Sequence, residues 1–123
     1  MINLGAVTIL VPGSLPLGCN PAYLTTFATK DEEEYDQAGC LKWVNKFFEY
    51  HNELLQMELH RLQVLYPFTN IIYADYFNAA MQFYKSPEQY GIQSTNPLCF
   101  VCHINVFVLQ LSIATEKFSQ PNR

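Results

Sequence analysis

An α/β fold built around parallel strands is predicted by three features of this 123-residue chain. A β-branched apolar run, Ala6–Val11, stops at Pro12-Gly13, and a second run, Ile71–Ala74, stops at a polar loop. Between them lies a long stretch with the apolar spacing of a helix. Strand, long helix, strand is a βαβ unit, the kind of crossover that joins parallel neighbours.

The first run reads AVTILV and is continuously apolar, as expected of a strand covered on both faces. Pro12, Gly13, Pro16 and Gly18 then make Pro12–Cys19 a rigid, irregular loop. Residues 20–39 hold no sustained period and read as a long polar excursion. From Leu41 the pattern changes. Leu41, Val44, Phe48, Leu55, Leu59, Leu62 and Tyr66 fall at steps of three, four or seven, with His51 filling the gap between Phe48 and Leu55. That is the apolar stripe of one long amphipathic helix. Glu49 with Glu53, and Glu58 with Arg61, occupy more polar faces, and Pro67 ends the helix. Ile71–Ala74 is the second buried strand. Tyr76–Tyr84 is a short helix closed by Ser86-Pro87, and Gly91–Pro97 is a loop. Cys99–Thr115 has neither helical nor alternating periodicity.

Two strands and one crossover leave both sheet edges unpaired and one sheet face bare. The segment is therefore expected to be part of a larger sheet, or to cover itself by self-association through its exposed sheet edge.

Bulk composition narrows the function classes. Half of the residues are apolar and 15% are aromatic, which excludes disorder. A net charge of -4 gives no electrostatic reason to bind nucleic acid or an anionic membrane. Ile104–Ala114 is too short to span a bilayer. Ala6–Val11 lacks a preceding basic residue, so no targeting signal is expected in the chain as it stands.

Ligand chemistry is expected at the carboxyl ends of the strands, where an open α/β sheet forms its crevice. Gly13, Ser14, Leu15 and Asp75 are the residues placed to line it. Ser14 lies in Pro-Gly-Ser-Leu-Pro, not in the Gly-x-Ser-x-Gly elbow that exposes a nucleophile. Asp75 reads first as the cap of the following helix.

Other constellations are weaker. Asp31–Glu34 lacks the alternating ligands and turn glycine of a calcium loop and reads as a solvated loop. His51 and His60 lie nine apart on the long helix, which is not metal-ligand spacing; they read as surface or half-buried residues. Cys99–His103 matches Cys-x-x-Cys-His, the attachment signature of c-type haem. No methionine follows Met81 and nothing else suggests a haem-packing helical fold. No second Cys/His pair has the spacing to complete a zinc site. No cofactor and no metal is expected. Cys19, Cys40, Cys99 and Cys102 allow three complete pairings, and the residues alone do not choose among them.

Several motifs together resemble the plant-type GDSL esterase/lipases of the SGNH hydrolase superfamily. Gly-Ala-x-x-x-x-x-x-Pro-Gly-x-x-Pro-x-Gly-Cys is matched by Gly5, Ala6, Pro12, Gly13, Pro16, Gly18 and Cys19. A second cysteine before a long helix with two asparagines seven apart is matched by Cys40, Asn45 and Asn52. The Tyr-Ala-Asp strand end is matched by Tyr73, Ala74 and Asp75, and a Pro-x-x-Tyr-Gly turn by Pro87, Tyr90 and Gly91. The wording is most similar to the acetylajmalan-esterase-like and sinapine-esterase-like branch. Residues 1–98 are read as a partial hydrolase domain and 99–123 as a divergent C-terminal tail, which departs from the family's Cys-Cys-Gly continuation and is expected to come from a truncated or misjoined gene model.

The resemblance implies a three-layer α/β/α, flavodoxin-like architecture of which this chain is an internal fragment. It implies a secreted carboxylic-ester hydrolase acting on a small-molecule ester, and a Cys19–Cys40 disulfide. Such a bond would close a loop of about twenty residues and stabilise by about 3 kcal/mol. Family chemistry uses a serine nucleophile, a histidine base and preorganised oxyanion donors. Those groups lie in Gly-Asp-Ser, Gly-x-Asn-Asp and Asp-x-x-His blocks, none of which occurs here. Asp31, Asp36 and Asp75 are followed three residues later by Glu34, Gly39 and Asn78. No catalytic residue carries over, and the chain alone is expected to be inactive. The alternative is a non-catalytic binding or interaction module derived from the same fold.

Overall fold

Strands β1 (Thr8–Pro12) and β2 (Asn70–Ala74) pair in parallel in the computed structural model, which describes residues 1–92. The register runs from Thr8 beside Asn70 to Pro12 beside Ala74. Helix α2 (Lys42–Leu65) forms the crossover. Two shorter helices complete the described elements: α1 (Pro21–Thr26) follows the first loop, and α3 (Tyr76–Lys85) leaves β2 directly. The Cys99–His103 motif, the tail from residue 99, and all but the first two residues of the Gly91–Pro97 loop lie outside the described residues. Among the described residues no helix is long and apolar enough to cross a membrane.

Side chains and backbone at the amino ends of the strands hold the register. The Asn70 N–H donates to the Val7 carbonyl at 2.7 Å. Gln63, near the end of α2, donates to the Thr69 carbonyl and accepts from the Ile71 N–H at 2.8 Å. One glutamine thus ties the outgoing helix to the first residues of β2. Helix α2 stops at Leu65, two residues before Pro67, as the proline requires.

Three expectations need correction. First, among the described residues the strands are covered on one face and not on both, the face a lone βαβ unit leaves bare: Thr8, Leu10 and Pro12 are exposed, while Ile9 and Val11 are half-buried. The described residues supply helix on one side of a two-stranded sheet and nothing on the other. Second, residues 20–39 are not an unstructured excursion. Asn20 caps α1 by accepting from the Ala22 N–H at 2.9 Å, and Pro21 starts the helix. Asp31 likewise caps a 3₁₀ turn over Glu32–Glu34, whose carboxylates all face solvent. Third, His51 does not fill the inner stripe of α2. It is exposed, and Asn52, one residue on, is buried in its place.

The core lies near the carboxyl ends of the strands. Cys19 and Cys40 are joined by a disulfide, and Phe77 and Met81 of α3 pack on it, with Ala38, Phe48 and Tyr84 around them. Leu41, fully buried, sits at the start of α2.

Candidate functional site

Both strands deliver their following loops to one end of the sheet, because parallel pairing places Pro12 beside Ala74. The Gly13 N–H donates to the Ala74 carbonyl at 2.9 Å, carrying the pairing one residue into the loop. Gly13 is buried under the Tyr73 ring, and any Cβ there would meet the phenol. Burial first, and then the nearby Asp75 carboxylate, pushes the Tyr73 phenol above its ordinary range.

Two asparagines on the inner face of α2 fix the loop that follows. Asn52 accepts from the Ser14 N–H at 2.7 Å and donates to the Ser14 carbonyl at 3.0 Å. Asn45 accepts from the buried Gly18 N–H at 2.8 Å, and its amide nitrogen lies 3.5 Å from the Cys19 sulfur. Seven residues are about two helical turns, or roughly 10.5 Å. The loop is therefore held at two points along one face of α2. The Leu41 N–H adds a bond of 2.9 Å to the Gly18 carbonyl, and the disulfide closes the arrangement behind it. Gly18 has no room for a side chain: a Cβ would strike the Leu41 carbonyl and the Asn45 amide. An irregular loop cannot satisfy its own backbone, and here two buried side-chain amides do so.

Of the residues placed by sequence, Gly13, Ser14 and Asp75 stand at this sheet end. Asp75 is the N-cap of α3: one carboxylate oxygen accepts from the Asn78 N–H at 3.1 Å and the other from the Asn78 side chain at 2.7 Å. Ser14 brings its hydroxyl within 3.4 Å of His51 Nδ1. That pairing is a serine beside an imidazole, but it lacks the rest of a nucleophilic site. The Ser14 N–H, a natural oxyanion donor, is already given to Asn52. No carboxylate among the described residues bonds to His51, and Asp75 is engaged with Asn78. Among the described residues no cluster of three His, Cys, Asp or Glu could hold a metal ion.

A cavity of about 620 Å³ opens elsewhere, between the Asp36–Ala38 turn, the first half of α2 and the end of α3. Lys42, Lys46, Glu49 and Lys85 rim it, and Met81 and Tyr84 form its floor. Gly13, Ser14, Leu15 and Asp75 do not line it. Burial pushes the Tyr84 phenol up to about 12. The Lys42 ammonium is committed to the Glu33 carbonyl at 2.6 Å. Sequence reading missed this cavity, since its walls come from three segments with no shared motif. It also missed the clamp: Asn45 and Asn52 were visible as a spacing, but not as the groups that satisfy the loop.

Comparison with known proteins supplies the family. No family model matches the chain, and no solved structure matches it. Among curated proteins, GDSL esterase/lipase At1g28600 of Arabidopsis thaliana is 50% identical over 101 residues, covering 80% of this chain and 26% of that protein. GDSL esterase/lipase At1g31550 of the same plant is 55% identical over 92 residues, covering 74% of this chain and 23% of its own length. Sinapine esterase of Brassica napus is 48% identical over 105 residues, covering 85% and 27% respectively. The chain spans about a quarter of the length of these relatives. It belongs to the plant GDSL esterase/lipase family, as a partial segment of the proteins that family contains.

Proposed function

We propose that this segment is the scaffold half of a carboxylic-ester hydrolase site: it holds loops at the carboxyl edge of the sheet, and other parts of the family fold supply the reacting groups. The observation that carries this reading is the pair of adjacent loops, Gly13–Cys19 and Asp75–Asn78, at one end of a parallel sheet in a chain about half identical to GDSL esterase/lipases. In the complete fold the sheet would gain further parallel strands and helices on its bare face, giving a three-layer α/β/α sandwich. Gly13, Ser14, Leu15 and Asp75 would then line the crevice that receives a small-molecule ester.

The chemistry expected there is acyl transfer. A serine oxygen adds to the ester carbonyl as a histidine takes its proton; the alcohol leaves with that proton. Water then hydrolyses the acyl-enzyme to acid and free serine. No residue of this chain is assigned a part in those steps, and the fixed asparagine clamp explains what it does supply. A crevice wall that wandered by an ångström would lose orientation, which is costly in rate.

Two measurements test the proposal. The 123-residue chain should neither hydrolyse p-nitrophenyl acetate nor be labelled by a serine-directed phosphonate; a labelled serine overturns the scaffold reading. Grafting residues 4–92 in place of the homologous segment of Brassica napus sinapine esterase should give a folded chimera that still hydrolyses esters. A folded but inert chimera overturns the claim that this segment builds the site wall. A second reading, favoured by the two strand edges left unpaired among the described residues, is a non-catalytic module that adds its edge to a homologue's sheet.

A further inference from the structure

Helix α2 carries two apolar stripes, and the described residues cover only one. The inner stripe, Leu41, Asn45, Phe48, Asn52, Leu55, Leu59 and Leu62, faces the loop and the sheet. Two residues out of phase with it run Phe47, Tyr50, Leu54, Met57, Arg61 and Val64, at alternating steps of three and four. Of these Phe47 is 62% exposed, Tyr50 60%, Leu54 47%, Met57 69% and Val64 69%. A helix apolar on opposite faces is normally buried on both. The 3-4 spacing is that of a seam between two nearly parallel or antiparallel helices, which hold it in register by supercoiling.

We propose that this outer stripe is a self-association surface, on which a second copy of the chain lays its own α2 antiparallel. In that arrangement Phe47 meets Val64 of the second copy, Leu54 meets Met57, and Tyr50 meets Arg61, each contact occurring twice about a two-fold axis. The overlap runs over residues 47–64, about 27 Å of helix. The Arg61 guanidinium, held by Glu58 at 2.9 Å, would lie over the Tyr50 ring of the other copy as a cation–π contact.

Polar complementarity favours a second copy as the occupant and sets its direction. Antiparallel packing sets Glu53 against His60 of the second copy and His51 against Glu58, four acid–imidazole pairs in all. Parallel packing instead sets Glu53 against Glu58, carboxylate against carboxylate. All four side chains are exposed and flank the stripe. The surface is self-complementary in the antiparallel direction, in which one two-fold axis relates both copies of every contact.

The test is sedimentation equilibrium of the full chain, in a Cys99→Ser/Cys102→Ser background so that thiol oxidation cannot link copies. A reversible dimer is expected with a dissociation constant on the order of micromolar, the weak end for interfaces of ordinary size. Phe47→Glu/Met57→Glu should weaken it by about 30-fold or more, with the circular dichroism spectrum unchanged because both sites are exposed. Glu53→Lys should weaken the dimer, and adding His60→Glu should restore it. Four results overturn the proposal. One is a wild-type chain that stays monomeric, its face covered by its own tail or by another protein. Another is a dimer indifferent to Phe47→Glu/Met57→Glu. A third is a dimer broken instead by Leu10→Lys/Ile72→Lys on the sheet face. The fourth is strengthening by Glu53→Lys, the sign parallel packing requires.

Discussion

A single added carbon at Gly18 would meet the backbone of Leu41 and the amide of Asn45, neither of which can yield without unseating α2 from the loop. At Gly13 the obstacle is the tip of the Tyr73 ring, which can swing aside. Gly18→Ala is therefore expected to destabilise by about 3 kcal/mol or more, and Gly13→Ala by clearly less, within the range of overpacking costs. Urea denaturation of the two variants checks the order; equal costs would show that the loop and helix separate easily. Asn45→Ala leaves the buried Gly18 N–H without an acceptor and should cost about 1–3 kcal/mol. Tyr84 gives a pH prediction of definite sign. Its phenol ionises near 10 when unfolded and is pushed up to about 12 by burial, so the folded state keeps the proton longer. The stability this represents is complete below pH 10 and is lost as pH rises from there through 12. Tyr84→Phe should flatten the alkaline limb of a melting-temperature profile over that window, and should remove a late-titrating phenolate from the wild-type absorbance titration.

Elements were legible in the sequence to the degree that their signals were local. The crossover helix was readable within a residue at each end, because Pro67 and twenty-four residues of period 3.6 leave little choice. The strands were readable as apolar runs ended by turn residues, and Asp75 as a cap. Helix α1 went unread although Asn20-Pro21 carries both a cap and a first-turn proline, because six residues are too few for periodicity to emerge. The inner stripe was misassigned at His51 because hydrophobicity ranks asparagine below histidine; the buried face at that height holds a backbone-binding amide, and it is Asn52 that binds the Ser14 N–H and carbonyl. The outer stripe went unread because one apolar face was enough to call the helix. The Cys19–Cys40 pairing was not decidable from spacing, since three complete pairings were open, and only the fold shows the two residues side by side. That bond ties the loop after β1 to the turn before α2. Its removal by Cys19→Ala/Cys40→Ala should cost about 3 kcal/mol on the chain-entropy account. The same bond predicts that alkylation of the native chain without reductant modifies no residue among 1–92, which mass spectrometry reads directly. Modification at Cys19 or Cys40 would place the core's stability in packing alone.

At the scale of the whole molecule, burial is concentrated at one end. The disulfide, Leu41 and the facing side of α3 form a core at the carboxyl edge of the sheet, whereas Leu10 and Ile72 leave the outer sheet face open. Each strand of a two-stranded sheet also turns half of its N–H and C=O groups outward, where among the described residues the Ile71 N–H is met by the Gln63 side chain and the rest of the edge is left to water. Amide hydrogen exchange should separate these regions. Gly18 and the middle of α2 should exchange slowly, because their donors are buried and bonded and open only with the core. The inward amides of β1 and β2, with the Ile71 amide held by Gln63, should be intermediate, and the other outward ones should exchange at nearly the unprotected rate. Repeating the measurement at rising concentration distinguishes the ways in which the chain could bury what it exposes. Protection appearing at the outward strand amides means edge pairing, the second functional reading. Unchanged strand amides, together with a concentration-dependent dimer, leave the edges free and assign association to a side-chain surface such as the outer stripe of α2. Within a complete GDSL esterase/lipase fold the same outward amides should be fully protected, because further strands would occupy both edges. Exchange on the sinapine esterase chimera should therefore protect β1 and β2 where the isolated chain does not. If they remained unprotected there, the segment would not have joined the host sheet, and the proposed three-layer architecture would fail.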